Sequence, residues 1–134
     1  MSVQVQNLKK TFHAPGGDVH ALDNINFEVK TGEFVSIIGK SGSGKSTLLS
    51  QLGALDKPTS GKILVDGKDV TRLSGNKQTQ YRSKKIGFVF QQYNLIPNLT
   101  AAENVMLALE FGGMATRKRK TRALELLKTV GINE

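Results

Sequence analysis

Apolar and polar residues alternate in the first part of the chain as they do in half-buried strands. Residues 3–12 (VQVQNLKKTF) alternate at their start. Residues 25–29 (INFEV) place three apolar side chains on one face, those of Ile25, Phe27 and Val29. Between these strands, the Pro-Gly-Gly content of residues 13–20 (HAPGGDVH) predicts a loop, and Thr31-Gly32 predicts a turn.

Two later segments carry near-continuous apolar runs, which are typical of strands covered on both faces. They are EFVSIIG (33–39) and IGFVFQ (86–91). A hairpin is predicted for KILVDGKDV (62–70), because Asp66-Gly67 suits a two-residue turn. Loops are predicted for KPTSG (57–61) and for NLIPN (94–98), which contains a proline.

Leucines recur at helical spacing after residue 46, and this predicts a helix whose apolar side faces the sheet. The leucines concerned are Leu48, Leu49, Leu52 and Leu55. The polar segment NKQTQYRSKK (76–85) predicts a further short helix. Thr100 and Glu103 form a capping box that predicts a helix over AAENVMLALEF (101–111), which Gly112-Gly113 would end.

A last helix is predicted to begin with Thr116 as its cap and to end at Gly131, which suits a C-terminal cap. Its apolar stripe consists of Ala123, Leu126, Leu127 and Val130. The chain therefore mixes strands and helices, which indicates an α/β fold.

The stretch GKSGSGKS (39–46) joins the apolar segment 33–39 to the leucine-rich helix. Its Gly39, Gly44, Lys45 and Ser46 fit the phosphate-binding pattern G-x-x-x-x-G-K-[ST]. Glycines allow successive N–H groups to point at phosphates, and the helix that follows adds the positive end of its dipole. Lys45 is predicted to neutralise the β- and γ-phosphates, Ser46 to bind Mg²⁺, and Thr47 to reach the α-phosphate. The alternative is a flexible glycine–serine loop beside a strand.

Composition limits the classes of protein that remain. The 134 residues are 38% hydrophobic, include 14 glycines and contain no cysteine. This length fits one domain, and the lack of cysteine excludes disulfides and thiolate metal sites. No apolar run approaches the ~20 residues that a membrane-spanning helix needs, and the first residues do not form a signal peptide. The sequence thus predicts a cytoplasmic location.

The net charge of +8 raises the alternative of a nucleic-acid-binding module. Five of these positive charges lie in one short run, RKRKTR (117–122), at the start of a helix whose other face is apolar. A solvated helix face is the ordinary interpretation of such a run, and anionic lipid headgroups are a further candidate partner. Another P-loop enzyme, such as a small-molecule kinase, is the remaining alternative.

Three separate motifs, in order, resemble the ATP-binding subunits of ABC transporters. They are GKSGSGKST (39–47), SGKILVDGKDVT (60–71) and IGFVFQQYNLIPNLTAAENV (86–105), the last being similar to the glutamine loop of that family. The sequences of these motifs most resemble the branch of the family that serves lipoprotein-releasing and macrolide-exporter systems. The resemblance runs from about residue 2 to residue 133, and a small-molecule kinase would not be expected to carry the third motif.

The resemblance implies a P-loop NTPase with a RecA-like core and an ABC-type antiparallel β subdomain. Residues 1–93 would form the β subdomain and the start of the core, and residues 94–134 the start of the helical subdomain. The intact protein would be an ATPase that binds ATP and Mg²⁺ and drives transport across the cytoplasmic membrane. Its partners would be a transmembrane permease subunit and a second nucleotide-binding subunit, not nucleic acid, at the inner face of the membrane.

The resemblance also implies roles for single residues. Phe12 would stack on adenine, unless it is a core residue at a strand end. Gln91 would contact Mg²⁺ and the attacking water and would act in catalysis with Lys45, unless it is only a polar strand-end residue. The nucleotide-binding loop would comprise Gly39, Ser41, Gly42, Ser43, Gly44, Lys45, Ser46 and Thr47. Leu95 and Ile96 would either contact the permease or be buried within the chain.

Other motifs of the family are not found in these 134 residues. No signature loop of the LSGGQ kind is present, and no apolar strand ends in Asp-Glu, so the Walker B aspartate and the general base are missing. His13 and His20 precede the phosphate-binding motif and are expected to be exposed or structural. We expect a chain truncated before these motifs, which binds nucleotide weakly, turns over negligibly and self-associates through open sheet edges.

Overall fold

A four-stranded antiparallel sheet forms most of the first part of the chain in the computed structural model, which describes residues 1–132. The strands are β1 (Val3–Ala14), β2 (Gly17–Val29), β3 (Ser60–Val65) and β4 (Lys68–Asp69). Their order is β2-β1-β3-β4, so β1 pairs with a neighbour on each side.

The amphipathic pattern of β2 and the hairpin turn of β3 and β4 are confirmed. Alternate residues of β2 from Ile25 onward are half-buried. Asp66 and Gly67 both have positive φ, 48° and 75°, as a two-residue hairpin turn of this kind requires. The predicted loop at 13–20 is wrong, because pairing of β1 with β2 continues as far as Ala14 and Gly17.

Two helices accompany the sheet, α1 (Lys45–Leu52) and α2 (Gly75–Lys85). The buried core combines side chains from strands and helices: Val5, Leu8, Leu22, Leu48, Ile63, Val65 and Tyr81. The predicted stripe of α1 is only partly right, since Leu48 is buried while Leu49 and Leu55 are about half exposed. Leu55 lies outside the helix because α1 ends at Leu52, whereas Leu49 lies within α1 on its exposed side.

Two further helices, α3 (Ala101–Phe111) and α4 (Thr116–Thr129), pack against each other later in the chain. The capping box of Thr100 and Glu103 is confirmed, and α3 ends at Gly112 as predicted. Thr116 is not the cap of α4, because the cap position is Ala115, which makes no side-chain hydrogen bond. At the other end, Gly131 has φ 81° and follows the last turn, as expected of a C-terminal glycine.

These elements form two compact units, Met1–Arg82 and Ser83–Glu134, of which Asn133 and Glu134 lie outside the described residues. The first unit holds the sheet, α1 and most of α2, and the second holds α3 and α4. The predicted division into a β subdomain with the start of a core, and the start of a helical subdomain, remains a prediction.

The two near-continuous apolar segments are not buried strands, which corrects the prediction for 33–39 and 86–91. Within the described part of the chain, neither segment forms a strand or joins the sheet. Phe34 is 98% exposed and Val89 is fully exposed. A strand covered on both faces needs neighbours to pair with, and no described strand pairs with either segment.

Candidate phosphate-binding site

The phosphate-binding motif forms a tight turn immediately before α1. Gly42 and Gly44 both lie in the left-handed region, with φ of 78° and 86°, and Gly44 is the cap residue of the helix. The first helical hydrogen bond runs from the N–H of Leu48 to the carbonyl of Gly44, at 2.8 Å. The glycines therefore permit the chain to reverse and to enter the helix within a few residues.

Gly44 also lies against the sheet. A β-carbon at this position would collide with the carbonyl oxygen of Ala21 and would come within 3.2 Å of Leu22, both in β2. A β-carbon on Gly39 would stand 2.5 Å from the Ser43 hydroxyl. Gly44 therefore requires glycine, because the colliding atom belongs to the backbone, whereas the Ser43 hydroxyl could rotate away from a β-carbon at position 39. The contact with β2 fixes the start of α1 against the sheet.

The ammonium group of Lys45 folds back over the loop. It donates hydrogen bonds to the carbonyls of Gly39 at 2.8 Å and Lys40 at 2.6 Å, and it lies 3.4 Å from the Ser43 hydroxyl. The loop thus holds a positive charge at its centre, beside backbone N–H groups that a bound anion could use.

The N-terminus of α1 carries no competing negative group. Its first turn contains no acidic residue, and no side chain caps it. The first turn includes Ser46, which is exposed, and Thr47, which is half-buried. This helix end therefore keeps the partial positive charge that attracts phosphate.

Phe12 lies near the end of β1 in the same unit and is 44% exposed. The ammonium group of Lys10 lies 4.9 Å from the centre of its ring. Partial exposure argues against the alternative of an ordinary core residue and leaves ring surface available to a flat ligand.

Gln91 lies in the second unit, so its geometry is described with that unit alone. The residue is exposed and belongs to no helix or strand, and it directly follows Phe90, whose ring stacks on Phe88 at 5.5 Å. Leu95 and Ile96 are 63% and 43% exposed, which contradicts their burial within the described chain. The roles of Gln91 and of this loop remain predictions.

The two histidines are exposed, in agreement with the expectation that they are exposed or structural. His13 lies 2.7 Å from Asp18, and His20 lies 3.0 Å from the Thr11 hydroxyl, all on the β1–β2 hairpin. Over residues 1–132, no three His, Asp or Glu side chains gather as metal ligands. None of the described helices is long and apolar enough to cross a membrane.

Sequence reasoning missed two polar clusters. In the first, Lys10 forms an ion pair with Asp56 at 2.7 Å, and the Gln51 amide donates to the same carboxylate at 3.0 Å. Burial alone would raise the pKa of Asp56, but hydrogen bonds from Lys10 and the Lys57 N–H lower it overall. The only sequence signal was an acidic residue directly after the leucine stripe.

The second missed cluster centres on Asn104 in α3. Its amide oxygen accepts from the N–H of Ile96 at 2.8 Å, and its amide nitrogen donates to the carbonyls of Ile96, Leu99 and Thr100. One side chain thus holds the loop that precedes α3. An asparagine inside a helix, just past a capping box, was the available signal.

A glycine turn with a central lysine, between the sheet and an uncapped helix, defines a P-loop nucleotide-binding protein. The chain matches the family described as ABC transporter over residues 22–134, and it belongs to that family. The family predicted from the three motifs is therefore confirmed.

Relatives from several organisms are similar to the chain over nearly its whole length. An uncharacterized ABC transporter ATP-binding protein of Thermotoga maritima is 54% identical over 116 residues, which are 87% of this chain and 50% of the relative. The ATP-binding protein MJ0796 of Methanocaldococcus jannaschii is 48% identical and covers 98% of this chain. The macrolide export ATP-binding/permease protein MacB of Mannheimia succiniciproducens is 44% identical. These matches confirm the macrolide-exporter-like branch.

A solved structure supports the fold. The dimeric structure of the ATP-binding cassette MJ0796 in a post-hydrolysis state, bound to ADP and Pi, matches with a TM-score of 0.89 and 48% identity. The match covers 98% of this chain and 58% of that one. The mixed α/β fold with an antiparallel β subdomain is thus confirmed. The chain spans about half the length of the first relatives that it matches, 50% and 57%.

Proposed function

We propose that the chain is the N-terminal portion of an ATP-binding subunit that couples ATP binding and hydrolysis to transport across the cytoplasmic membrane. The observation that carries the proposal is the Lys45 ammonium group, held over a glycine turn at the uncapped start of α1. The macrolide-export relatives, whose names include export and a permease, support a transport role.

A triphosphate would replace the internal partners of Lys45. The ammonium group now donates to carbonyls of the loop, and a β- or γ-phosphate oxygen is a stronger, charged acceptor. The phosphate oxygens would accept hydrogen bonds from backbone N–H groups of the glycine turn and of the first turn of α1, including the N–H of Thr47. The remaining positions of the loop, Ser41, Gly42 and Ser43, shape this cradle.

Mg²⁺ would be bound together with the nucleotide. Ser46 offers one exposed hydroxyl in the first turn of α1. The family resemblance implies Gln91 as a second protein ligand in the complete protein, and we retain it as a proposal. Mg²⁺ commonly keeps several waters and takes its other ligands from substrate phosphates. The single hydroxyl of Ser46 therefore suits a metal ion that would arrive with ATP and help to neutralise its charge.

The adenine base would stack on Phe12, and hydrolysis would be a property of the complete protein. Within these 134 residues no Asp-Glu pair follows an apolar strand, so no general base is at hand for the attacking water. We expect nucleotide binding with negligible turnover from this chain alone.

The proposed partners are a transmembrane permease subunit and a second nucleotide-binding subunit. The solved structure of the MJ0796 cassette is a dimer, and the MacB relatives are ATP-binding/permease proteins. The proposed location is the cytoplasmic side of the cell membrane, peripheral to it.

Equilibrium dialysis of MgATP against the wild-type chain and Lys45→Ala tests the site. We expect binding to weaken at least about tenfold in the variant, because a charge-assisted hydrogen bond contributes about 1.5–3 kcal/mol. Lys77→Ala in α2 removes the same charge from an exposed position of the same unit and should bind like the wild type.

Equal losses in both lysine variants would mean that general charge, and not the loop, attracts the nucleotide. Release of inorganic phosphate should stay at background for all three chains. Robust Mg²⁺-dependent hydrolysis by the purified wild-type chain would contradict the expectation of negligible turnover.

A further inference from the structure

Lys10, whose ammonium group lies over the Phe12 ring, has 13% of its side-chain surface exposed. Its ammonium group contacts three different acceptors: the Asp56 carboxylate at 2.7 Å, the carbonyl of Lys57 at 2.8 Å, and the face of the Phe12 ring. An ammonium group has three N–H donors, so this set uses all of its capacity. The lysine therefore acts as a fixed cation beside the ring.

The same carboxylate is connected to the helix that follows the phosphate loop. The Gln51 amide, in the last turn of α1, donates to Asp56 at 3.0 Å. Gln51 is 2% exposed, and its own amide oxygen is buried without a hydrogen-bond partner in the described residues. The Gln51 amide therefore contacts the carboxylate from a side chain that is itself enclosed in the core.

A continuous chain of contacts thus leads from α1 through Gln51, Asp56 and Lys10 to Phe12. α1 begins at Lys45, in the proposed phosphate site, and Phe12 is the proposed base-stacking residue. The chain of contacts connects the two parts of the nucleotide site within one unit.

We infer that Lys10, tied to Asp56, is a positioning residue that covers one face of Phe12 and presents the other face to a purine base. The inference rests on the proposed function and deepens it. A ring with a cation on one face cannot turn that face to a ligand, so the base must stack on the other. The fixed ring would then stand at a set position relative to the phosphates.

Two ligands separate the effect on the base from any effect on the phosphates. Magnesium tripolyphosphate carries the phosphate chain of ATP but no base, so its affinity should depend on the loop and not on Phe12. The ratio of the tripolyphosphate dissociation constant to the MgATP dissociation constant measures the contribution of the nucleoside. Both constants can be measured by equilibrium dialysis on the 134-residue chain.

Lys10→Met keeps the stem and removes the cation, and Asp56→Asn removes the partner that fixes it. We expect both variants to lower the ratio about threefold to tenfold, the range of a partly desolvated cation–π contact. Tripolyphosphate should bind as in the wild type, which also shows that the variant is folded. Lys10→Arg should keep the wild-type ratio, because arginine can hold both the carboxylate and the ring.

Lys9→Met is the matched control. It removes the same charge from the neighbouring residue, together with an exposed ion pair between Lys9 and Asp23 at 2.9 Å. Its ratio should equal that of the wild type. Phe12→Ala is the positive control and should lower the ratio at least as far as Lys10→Met, because stacking of a base on an aromatic ring is lost.

Each alternative outcome has a definite meaning. If Phe12→Ala lowers the ratio and neither Lys10→Met nor Asp56→Asn does, the inference is overturned and the proposed function stands. If Phe12→Ala also leaves the ratio unchanged, base stacking on Phe12 is wrong and the inference falls with it. Parallel losses for both ligands in Lys10→Met and Asp56→Asn would show a structural role only, which also overturns the inference.

Discussion

Replacing Gly44 with alanine tests whether contact with the sheet fixes the phosphate loop. The new β-carbon would collide with the carbonyl oxygen of Ala21 in β2, and the residue would have to keep φ at 86°. Gly42→Ala is the matched control, since φ there is 78° and a β-carbon at that position would meet nothing within 4 Å. Both variants therefore place an alanine at positive φ, but only Gly44→Ala also brings a β-carbon against the Ala21 carbonyl oxygen.

The expected magnitudes follow from these two terms. A left-handed backbone conformation costs an alanine about 1–2 kcal/mol. Alanine also lowers the conformational entropy of the unfolded chain, which offsets about 0.4–1 kcal/mol of this cost. Gly42→Ala should therefore lower the free energy of unfolding by at most about 1.6 kcal/mol. Overpacking against a fixed backbone adds about 1–3 kcal/mol, so Gly44→Ala should lower it by about 1–5 kcal/mol.

Urea unfolding followed by tyrosine fluorescence measures this difference. The chain has no tryptophan, and Tyr81 is 8% exposed with its hydroxyl bonded to the carbonyl of Leu52, at the end of α1. Tyr93 is 87% exposed, so the change in emission should come chiefly from Tyr81. With a slope of about 1–2 kcal/mol per molar urea, the two midpoints should differ by about 1 M.

Equal midpoints for Gly42→Ala and Gly44→Ala would refute the reasoning. The loop would then be able to move away from β2 without loss of stability, and the steric requirement for glycine at position 44 would not hold. A midpoint for Gly42→Ala well below that of Gly44→Ala would refute it more strongly.

The remaining predictions concern the second unit and the exposed apolar segments. Asn104→Ala should speed hydrogen exchange at the Ile96 amide about tenfold, because loss of the hydrogen bond to Asn104 costs about 1.4 kcal/mol. Unchanged exchange would show that Asn104 does not hold the loop before α3. Hydrogen bonds from the Thr100 N–H and hydroxyl lower the pKa of Glu103, so its contribution to stability is present above pH 4.5 and is lost as pH falls through the lowered value. An NMR titration should show this pKa moving part of the way back to 4.5 in Thr100→Ala. Light scattering should show association of the chain, reduced by Phe34→Ser, because Phe34 is 98% exposed; a monomer at every concentration would contradict this.

Elements that depend only on neighbouring residues were predictable from the sequence. Asp66-Gly67 marks its turn because few residues accept positive φ at two successive positions. Thr100 and Glu103 mark the start of α3 because their reciprocal hydrogen bonds need only neighbours three residues apart. The phosphate loop is recognisable for the same reason, since its glycines and lysine act within one turn.

Contacts between distant residues were not predictable from one sequence. The apolar run at 33–39 predicted a buried strand, but Phe34 and Ile38 are almost fully exposed. The pattern of apolar residues does not reveal whether a neighbouring strand is there to pair with the segment. Lys10 and Asp56 belong to different elements, and nothing in either local pattern indicates that they meet. The same limit applies to Gly44, whose β2 neighbour Ala21 becomes visible only in the folded chain.

The central place of β1 has a consequence for synthesis on the ribosome. The hairpin of β1 and β2 can form as soon as residue 29 has emerged. The other edge of β1 remains unpaired until β3, which ends at Val65, has also emerged. The phosphate loop and α1 are translated during that interval, between the second and third strands. The nascent polypeptide therefore carries its phosphate loop on a two-stranded sheet in which β1 is still an open edge, at a stage when a chaperone or a neighbouring nascent chain could pair with that strand.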